Sequence, residues 1–426
     1  MAQLKIKNFG PINEGYSQNN GFMNISPVTI IIGNQATGKS TIAKLYSTLS
    51  WLEKNLTRVD TKKTYISTKD EFASYLKNQR IEEYLKDNSY IEYIGTAYHF
   101  KYESNKFSII PLDTDSMLDY IRPKIMYVPS ERNLITVLED ADNVGKLPIM
   151  LSVLLDEYNV ARKTLAKHPF DLPVSGVQVF FSNETQTTKV IHNNSSISIS
   201  NASSGIQSIT PLILVSQYLS NEINTSISQK ISGLSAFKRD YIKNLIKELY
   251  KNDSLLCNNL LEEFNSLFSG TTNNTNKYTN ILKDLLIGLF NQCFINIVEE
   301  PEQNLYPDSQ GNVLYKLLEY NNLNENNHLV ITTHSPYILF YVTLAVEAWD
   351  LIQKNVPLEQ IDTVVNSKAA INPSDLNIYE TLEDGSIKQL EKKDILPSDE
   401  DLLNNAIQEL SNKFAQLLEL EEEYCQ

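Results

Sequence analysis

Two short stretches carry the side chains best suited to chemistry. "GNQATGKS" runs from Gly33 to Ser40, and "FINIVEE" ends in the adjacent carboxylates of Glu299 and Glu300. The first follows the β-branched run "VTIII" and opens into residues with helical spacing, Ile42, Leu45, Leu49 and Trp51. Strand, glycine-bounded loop and helix in that order make a phosphate cradle, because backbone N–H groups of the turn and the helix N-terminus surround an anion. Gly33, Asn34, Gln35, Ala36, Thr37 and Gly38 form the loop, with Gly33 and Gly38 permitting close backbone approach. Lys39 neutralises β/γ-phosphate charge, the Ser40 hydroxyl reaches Mg2+, and Thr41 completes the cradle.

A second buried strand in such a protein ends beside the phosphates with a carboxylate that serves the Mg2+ shell. "FINIV" reads as that strand, so Glu299 serves the metal and Glu300, one residue farther out, orients or deprotonates the attacking water. Two neighbouring carboxylates repel each other unless a cation is close, and Mg2+ supplies one. His334 ends a third β-run, "HLVITT", about 35 residues after Glu299, the spacing of one crossover helix in a parallel sheet. An imidazole there can touch the γ-phosphate, and Pro336 stops the strand.

The elements that must hold these residues read as α/β. "QLKIKNF" is a first strand ending at Gly10-Pro11. Residues 69 to 86 read as helix, and "SYIEYIGTAYHFKYESNKFSIIPL" as short antiparallel strands turning at Gly95 and at Ser104-Asn105. "PKIMYV" is another buried strand, residues 147 to 167 are helical, and strands return near "QVFFS". Residues 219 to 290 are mostly amphipathic helix, broken by the polar "SGTTNNTNKYTN". "LNIYETLEDGSIKQL" is a hairpin with Asp384-Gly385 at its turn. The last helix carries Leu403, Ile407, Leu410, Phe414 and Leu417 at alternating spacings of four and three, a coiled-coil-like seam.

Composition narrows the function classes. The chain has 426 residues, 42% hydrophobic, with a formal charge of −15, which argues against a surface built to coat nucleic acid. The basic residues of "AFKRDYIKNLIKELYK" (236 to 251) read as a solvated helix face. Apolar stretches fall short of a bilayer span and the N-terminus lacks a signal-peptide pattern, so a cytoplasmic protein without membrane contact is expected. Cys257, Cys293 and Cys425 are scattered, which indicates neither a disulfide framework nor a zinc ribbon.

Taken in order, "LKIKNFGPI", "GNQATGKST", "NASSGIQS", "IVEEPEQNLYP" and "TTHSPY" resemble an ABC-type ATPase head, in the branch of the overcoming-lysogenization-defect (OLD) family and the ATPase subunits of anti-phage systems, Septu-type above all. The resemblance spans residues 4 to about 340. It implies a P-loop fold with a mixed sheet, an antiparallel N-terminal β-lobe and a helical insertion. It implies ATP with Mg2+, and two heads closing on the nucleotide so that Ser203, Ser204 and Gly205 of one copy meet the γ-phosphate held by the other. The helix beginning near Gln207 would point its N-terminus there. The expected organisation is a head in two parts, residues 1–218 and 291–395, an insertion at 219–290 and a terminal helix at 396–426.

Departures from the family sharpen the expectation. Transporter-type heads carry Asp-Glu and a following aspartate where this chain has Glu-Glu and "PEQNLYP", so transport is disfavoured. A glutamine loop is replaced by "PSERN" (129 to 133), with Glu131 or Arg132 near the nucleotide. Asp113 and Asp115 of "LDTDS" read as a polar turn, the five histidines form no HNH-like cluster, and the topoisomerase-primase nuclease of OLD proteins is not visible after His334. The implied partners are a second copy of the chain and a separate nuclease subunit of HNH or topoisomerase-primase type. The alternative is a DNA repair or maintenance ATPase that binds DNA directly.

Overall fold

The computed structural model describes residues 2–57, 65–112, 120–140, 146–193, 195–269 and 277–424. Asp113, Asp115, Cys425 and residues 270–276 of the polar loop lie outside this set.

The run "VTIIIG" is apolar on both faces because both faces are covered. Within the strand Val28–Gly33 every residue is buried, as is every residue of Cys293–Glu299. Alternate side chains go to opposite sides. Val28, Ile30 and Ile32 enter one core with Phe294 and Val298, while Ile31 enters the other with Ile295 and Ile297. The sheet they belong to has seven strands, in the order Gly15–Tyr16, Ser386–Gln389, Leu376–Thr381, Val28–Gly33, His328–Thr333, Cys293–Glu299 and Pro123–Val128. From Leu376–Thr381 to Pro123–Val128 all neighbours are parallel. Strands of this kind need covering on both sides, which the helices Lys39–Leu56, Ser204–Asn224, Pro307–Asn321 and Pro336–Gln353 help to provide.

The expected antiparallel lobe is a six-stranded sheet in the order Met23–Ile25, Ala2–Phe9, Leu85–Ile94, Tyr98–Glu103, Lys106–Pro111 and Tyr65–Thr68. Its turns fall at Gly95 and at Ser104-Asn105, both of the latter in the left-handed region at φ 52° and 62°. The lobe corrects one expectation. The helix from residue 69 ends at Lys77, and the chain is already a strand at Leu85, where Phe9 pairs with it. A long-range partner outweighs local propensity there.

Glu53, on the helix that starts at Lys39, ties the lobe to the seven-stranded sheet's core. Its buried carboxylate accepts from Tyr93 Oη at 2.9 Å and from the Ala97 and Tyr98 amides at 2.8 and 3.1 Å. Burial pushes this carboxyl above the usual range, and the three donors pull it back. The same helix buries Ile42, Leu45 and Leu49, but Trp51 is 42% exposed rather than in the core.

Beyond the head strands, one group of helices has a core of its own. The helix Ser204–Asn224 passes unbroken through residue 218. Helices Ile227–Ser232, Ala236–Leu249, Ser254–Ser269 and Lys277–Leu289 then share a core of their own around Ile246, Leu260, Phe264 and Leu286. On Ala236–Leu249, Lys238 and Lys247 face solvent. The hairpin turns as expected at Asp384-Gly385, with Gly385 at φ 79°. In the terminal helix Leu402–Tyr424, Leu403 is buried while Ile407, Leu410, Phe414 and Leu417 face solvent. No helix of the described residues is long and apolar enough to cross a membrane.

Replacing Tyr93 by Phe removes one donor from a buried carboxylate and should cost about 2 kcal/mol of stability. Because that donor favours the charged form, the loss should be smallest at acid pH, where Glu53 is protonated, and should grow as pH rises. Denaturant unfolding of wild type and Tyr93→Phe across pH checks both the size and the sign.

Candidate nucleotide site

Five parallel strands ending at one edge of the sheet deliver five loops to one place. Gly33, Thr333, Glu299, Val128 and Thr381 are the last residues of their strands, and the register sets Glu299 beside Thr332, Thr333 beside Ile32 and Thr381 beside Gly33. Ligands of open α/β sheets bind at this carboxyl edge. The histidine strand lies between the acidic strand and the phosphate-loop strand, so Glu299, His334 and the loop are brought to one edge.

The loop is held open by backbone geometry that side chains would disturb. Gly33 has φ 145°, and a Cβ there would sit 2.3 Å from Thr381 Oγ1; Gly38 has φ 109° and would meet Ile12 at 2.9 Å. Ala36, between them, also has positive φ at 62°. Thr37 Oγ1 donates to Asn34 O at 2.7 Å and pairs with Thr381 Oγ1 at 2.6 Å, and Asn34 Nδ2 donates to Glu383 Oε1 at 3.0 Å. The hairpin strand therefore buttresses the cradle. Asn34, Gln35 and Ala36 are exposed, Lys39 and Thr41 are buried, and Ser40 is half-buried at the helix start. Lys39 Nζ donates to Gly33 O at 2.9 Å and Asn34 O at 2.8 Å. Burial lowers its pKa, opposed by the charges of Glu300, Glu302 and Glu299.

Glu299 is buried at the strand tip. Its Oε2 accepts from the Ser130 amide at 3.2 Å; the buried Tyr127 hydroxyl neighbours the carboxylate, and Oε1 makes no hydrogen bond within 3.5 Å among the described residues. An unsatisfied buried carboxylate oxygen beside a phosphate loop suits a hard cation. No cluster of three or more His, Cys, Asp or Glu able to hold a metal exists among the described residues. Ser40 and Glu299 thus fit Mg2+ of the kind held mostly by phosphates and water, and do not make a self-sufficient metal cage.

Glu300 leaves the strand with φ 44°, its amide donating to Thr332 O at 2.8 Å. This turn lifts its carboxylate out of the sheet to a half-exposed position. His334 Nδ1 lies 3.6 Å from Glu300 Oε1 and 3.7 Å from Glu302 Oε1. Glu300 beside it raises the imidazole pKa, against burial, with Glu302 adding to the rise. Reciprocally, His334 holds the Glu300 carboxyl below its usual range. Pro336 not only ends the strand but opens the helix Pro336–Gln353 at its first turn, where a missing N–H costs nothing.

Arg132, expected near the nucleotide, lies against the backbone of the acidic tip. Its side chain is fully buried, and burial lowers its pKa to about 10. Its nitrogens donate to Glu299 O at 2.6 Å, Glu300 O at 2.7 Å, Ser208 O at 3.2 Å and Pro129 O at 3.3 Å. One guanidinium thereby joins the acidic tip to the first turns of the helix Ser204–Asn224. That helix starts three residues earlier than Gln207, with Ser203 as N-cap and no side-chain cap on its first amides. Pro211 deprives Gln207 O of a helical donor, and Thr136 Oγ1 approaches that oxygen at 3.4 Å.

Ser203 and Ser204 are exposed, whereas Gly205 is packed so closely that a Cβ would sit 2.6 Å from Asn304 O. Gly205 packs against the segment after the acidic tip, where Ser208 Oγ also donates to Gln303 Oε1 at 3.3 Å. Glu302 is the residue that sequence reasoning missed: it is buried, and its Oε1 accepts from Thr333 Oγ1 at 2.7 Å and from the His334 amide at 3.1 Å. Its place in "EEPEQ" two residues past Glu300 was the available signal.

No protein-family model and no curated protein matches the chain. Among solved structures, an SMC head bound to the C-winged helix domain of ScpA aligns at 8% identity over 91% of this chain and 96% of that one, with a TM-score of 0.35. The SMC head domain from Thermotoga maritima aligns at 10% identity over 92% and 98%, with a TM-score of 0.36. A dimeric ATP-binding cassette bound to ADP and Pi aligns at 11% identity over 92% and 100%, with a TM-score of 0.29. With every score below 0.5, the α/β assignment stands on the strand order and register of this chain.

Changing Arg132 to Met would remove the side-chain donor from four carbonyls, of which Pro129 O and Glu300 O keep backbone donors in Arg132 N and Gln303 N, and should destabilise the head by about 3 kcal/mol. Arg132→Lys should recover little, because an ammonium cannot reach carbonyls on three segments at once. Denaturant midpoints of the two variants, compared with wild type, test this.

Proposed function

We propose that the chain is a Mg2+-dependent ATP-binding and ATP-hydrolysing subunit that pairs head to head around ATP and controls a separate nuclease subunit in a bacterial anti-phage defence complex, acting in the cytoplasm. The observation that carries the hydrolytic part is the convergence on one sheet edge of the loop Gly33–Ser40, the Glu299–Glu300 tip and His334. The defence assignment rests on the order of the motifs and their resemblance to OLD-like ATPases.

Gly33 to Thr41 bind the triphosphate through loop and helix amides, and Lys39 exchanges its bonds to Gly33 O and Asn34 O for phosphate oxygens. Ser40 and Glu299 would hold Mg2+, which would supply charge neutralisation to the phosphates. Water attacks the γ-phosphorus in line, and Glu300 takes its proton. The bond from the γ-phosphorus to the bridging oxygen breaks, giving ADP and phosphate. Glu300 is half-exposed at the strand tip and ionised, with His334 beside it holding its carboxyl below the usual range. His334 donates to a γ-phosphate oxygen.

Pairing of two copies is supported by the state of the signature. Ser203 and Ser204 are exposed at a helix N-terminus whose first amides lack a side-chain cap. Such a terminus attracts anions, and the γ-phosphate of a second copy is the anion that pairing brings to it. The closed site then gains donors that one chain alone does not offer. The helices Ile227–Leu289 and the exposed seam of Leu402–Tyr424 are the candidate surfaces for the nuclease subunit.

Glu300→Gln should bind Mg·ATP and sediment as a stable dimer while phosphate release falls at least about 100-fold. Ser204→Arg should retain ATP binding yet remain monomeric. Dimerisation of Glu300→Gln that is indifferent to ATP would overturn the pairing. A nuclease encoded beside the gene and recovered with the purified protein would support the defence role, and its absence from both would count against it.

A further inference from the structure

We infer that Glu302 is the positioning residue of His334, accepting its Nδ1–H and so turning Nε2 toward the phosphates; this rests on the hydrolytic reading of the same site. Three observations meet at Glu302. Its Oε1 already holds the histidine's loop, through the Thr333 hydroxyl at 2.7 Å and the His334 amide at 3.1 Å. Thr333 Oγ1 in turn accepts the Ser335 amide at 3.0 Å, so the segment that carries the imidazole is anchored at successive residues. The same Oε1 is 3.7 Å from His334 Nδ1, and the second oxygen, Oε2, is buried with no hydrogen-bond partner among the described residues.

His334 thus sits between two carboxylates at nearly equal range, 3.6 Å from Glu300 and 3.7 Å from Glu302. They are not equivalent. Glu300 is half-exposed and must remain available to take a proton from water, whereas Glu302 is buried and fixed by the loop it holds. A small rotation of the ring toward Glu302 makes the Nδ1–H bond, releases Glu300 and presents Nε2 outward. A carboxylate on one ring nitrogen sets the tautomer and aim of the other. The charged groups facing His334 are Glu300 and Glu302 on the segment after the acidic strand and Lys39 on the phosphate-loop helix.

The test uses Glu302→Gln, whose side-chain oxygen can still accept from Thr333 and the His334 amide, so that the fold is kept while the negative charge is lost. Titration of the His334 ring in the nucleotide-free protein by NMR, assigned by difference with His334→Gln, should show a lower midpoint and a smaller Nδ1–H population than wild type. In steady-state hydrolysis kcat should fall about tenfold with KM within about twofold, and Glu302→Asp should restore part of it. If ring midpoint and tautomer are unmoved in Glu302→Gln but shift in Glu300→Gln, Glu300 alone governs the imidazole and the inference fails. If the wild type hydrolyses nothing, the hydrolytic reading fails, while the NMR comparison still decides who holds the ring. Should Glu302→Gln not fold, the same titration in Glu302→Asp carries the decision: a changed midpoint and tautomer uphold the inference, and unchanged ones overturn it.

Discussion

One guanidinium with no exposed surface fixes where the acidic strand ends. Arg132 bonds the carbonyls of Glu299 and Glu300, the latter shared with the Gln303 amide at 3.1 Å, and a carbonyl of the helix Ser204–Asn224 as well. A buried cation of this kind is tolerated only when every donor finds a partner. The planar fork meets that demand because Pro123–Val128 runs parallel to Cys293–Glu299 in matched register, which brings residue 132 beneath the tip. The two carboxylates, the preceding Ser130 amide and the helix Ser204–Asn224 are thereby linked through one side chain and the strand tip it holds. In a paired assembly, a displacement of the exposed signature would be felt by the carboxylates of its own chain through a single side chain.

Above that anchor the site is an arrangement of opposed charges. Lys39 feels Glu299, Glu300 and Glu302, and burial works against its charge. His334 is drawn toward the charged form by Glu300, and Glu300 is kept ionised by His334. Three carboxylates in so small a volume repel one another, and Lys39, His334 and the donors around Glu302 offset this in part. The unpaired Oε1 of Glu299 leaves negative character at the point where a cation bound with phosphates would come to rest.

How much of this the sequence disclosed depended on whether the deciding contact was local. The phosphate loop was legible because its chemistry is written in eight consecutive residues and in the strand and helix that flank them. The two glutamates and the histidine were legible as strand ends, since buried β-runs lead into each. The hairpin at Asp384-Gly385 announced itself by its turn. For Arg132 a place near the site was expected but its contacts were not legible, because the parallel register that turns it inward involves a strand about 170 residues later in the chain. Glu302 was missed for the same reason, since its partners are Thr333 and His334 on the next strand. The strand at Leu85 was read as helix because its pairing with Phe9 reaches back to the first strand. Trp51 fell on the expected apolar face of its helix, yet sits at the rim of a groove with Ile149 and Val153 instead of under the sheet.

The left-handed backbone at Glu300 sets this residue apart from an ordinary strand terminus. A residue with a side chain loses about 1 kcal/mol in that conformation, and glycine would relieve it. Selection for thermal robustness alone would therefore drift toward replacing the very side chain whose aim depends on the strain. A variant library ranked by melting temperature should be expected to enrich glycine at this position, and such winners would be sturdier proteins that have given up the carboxylate beside His334.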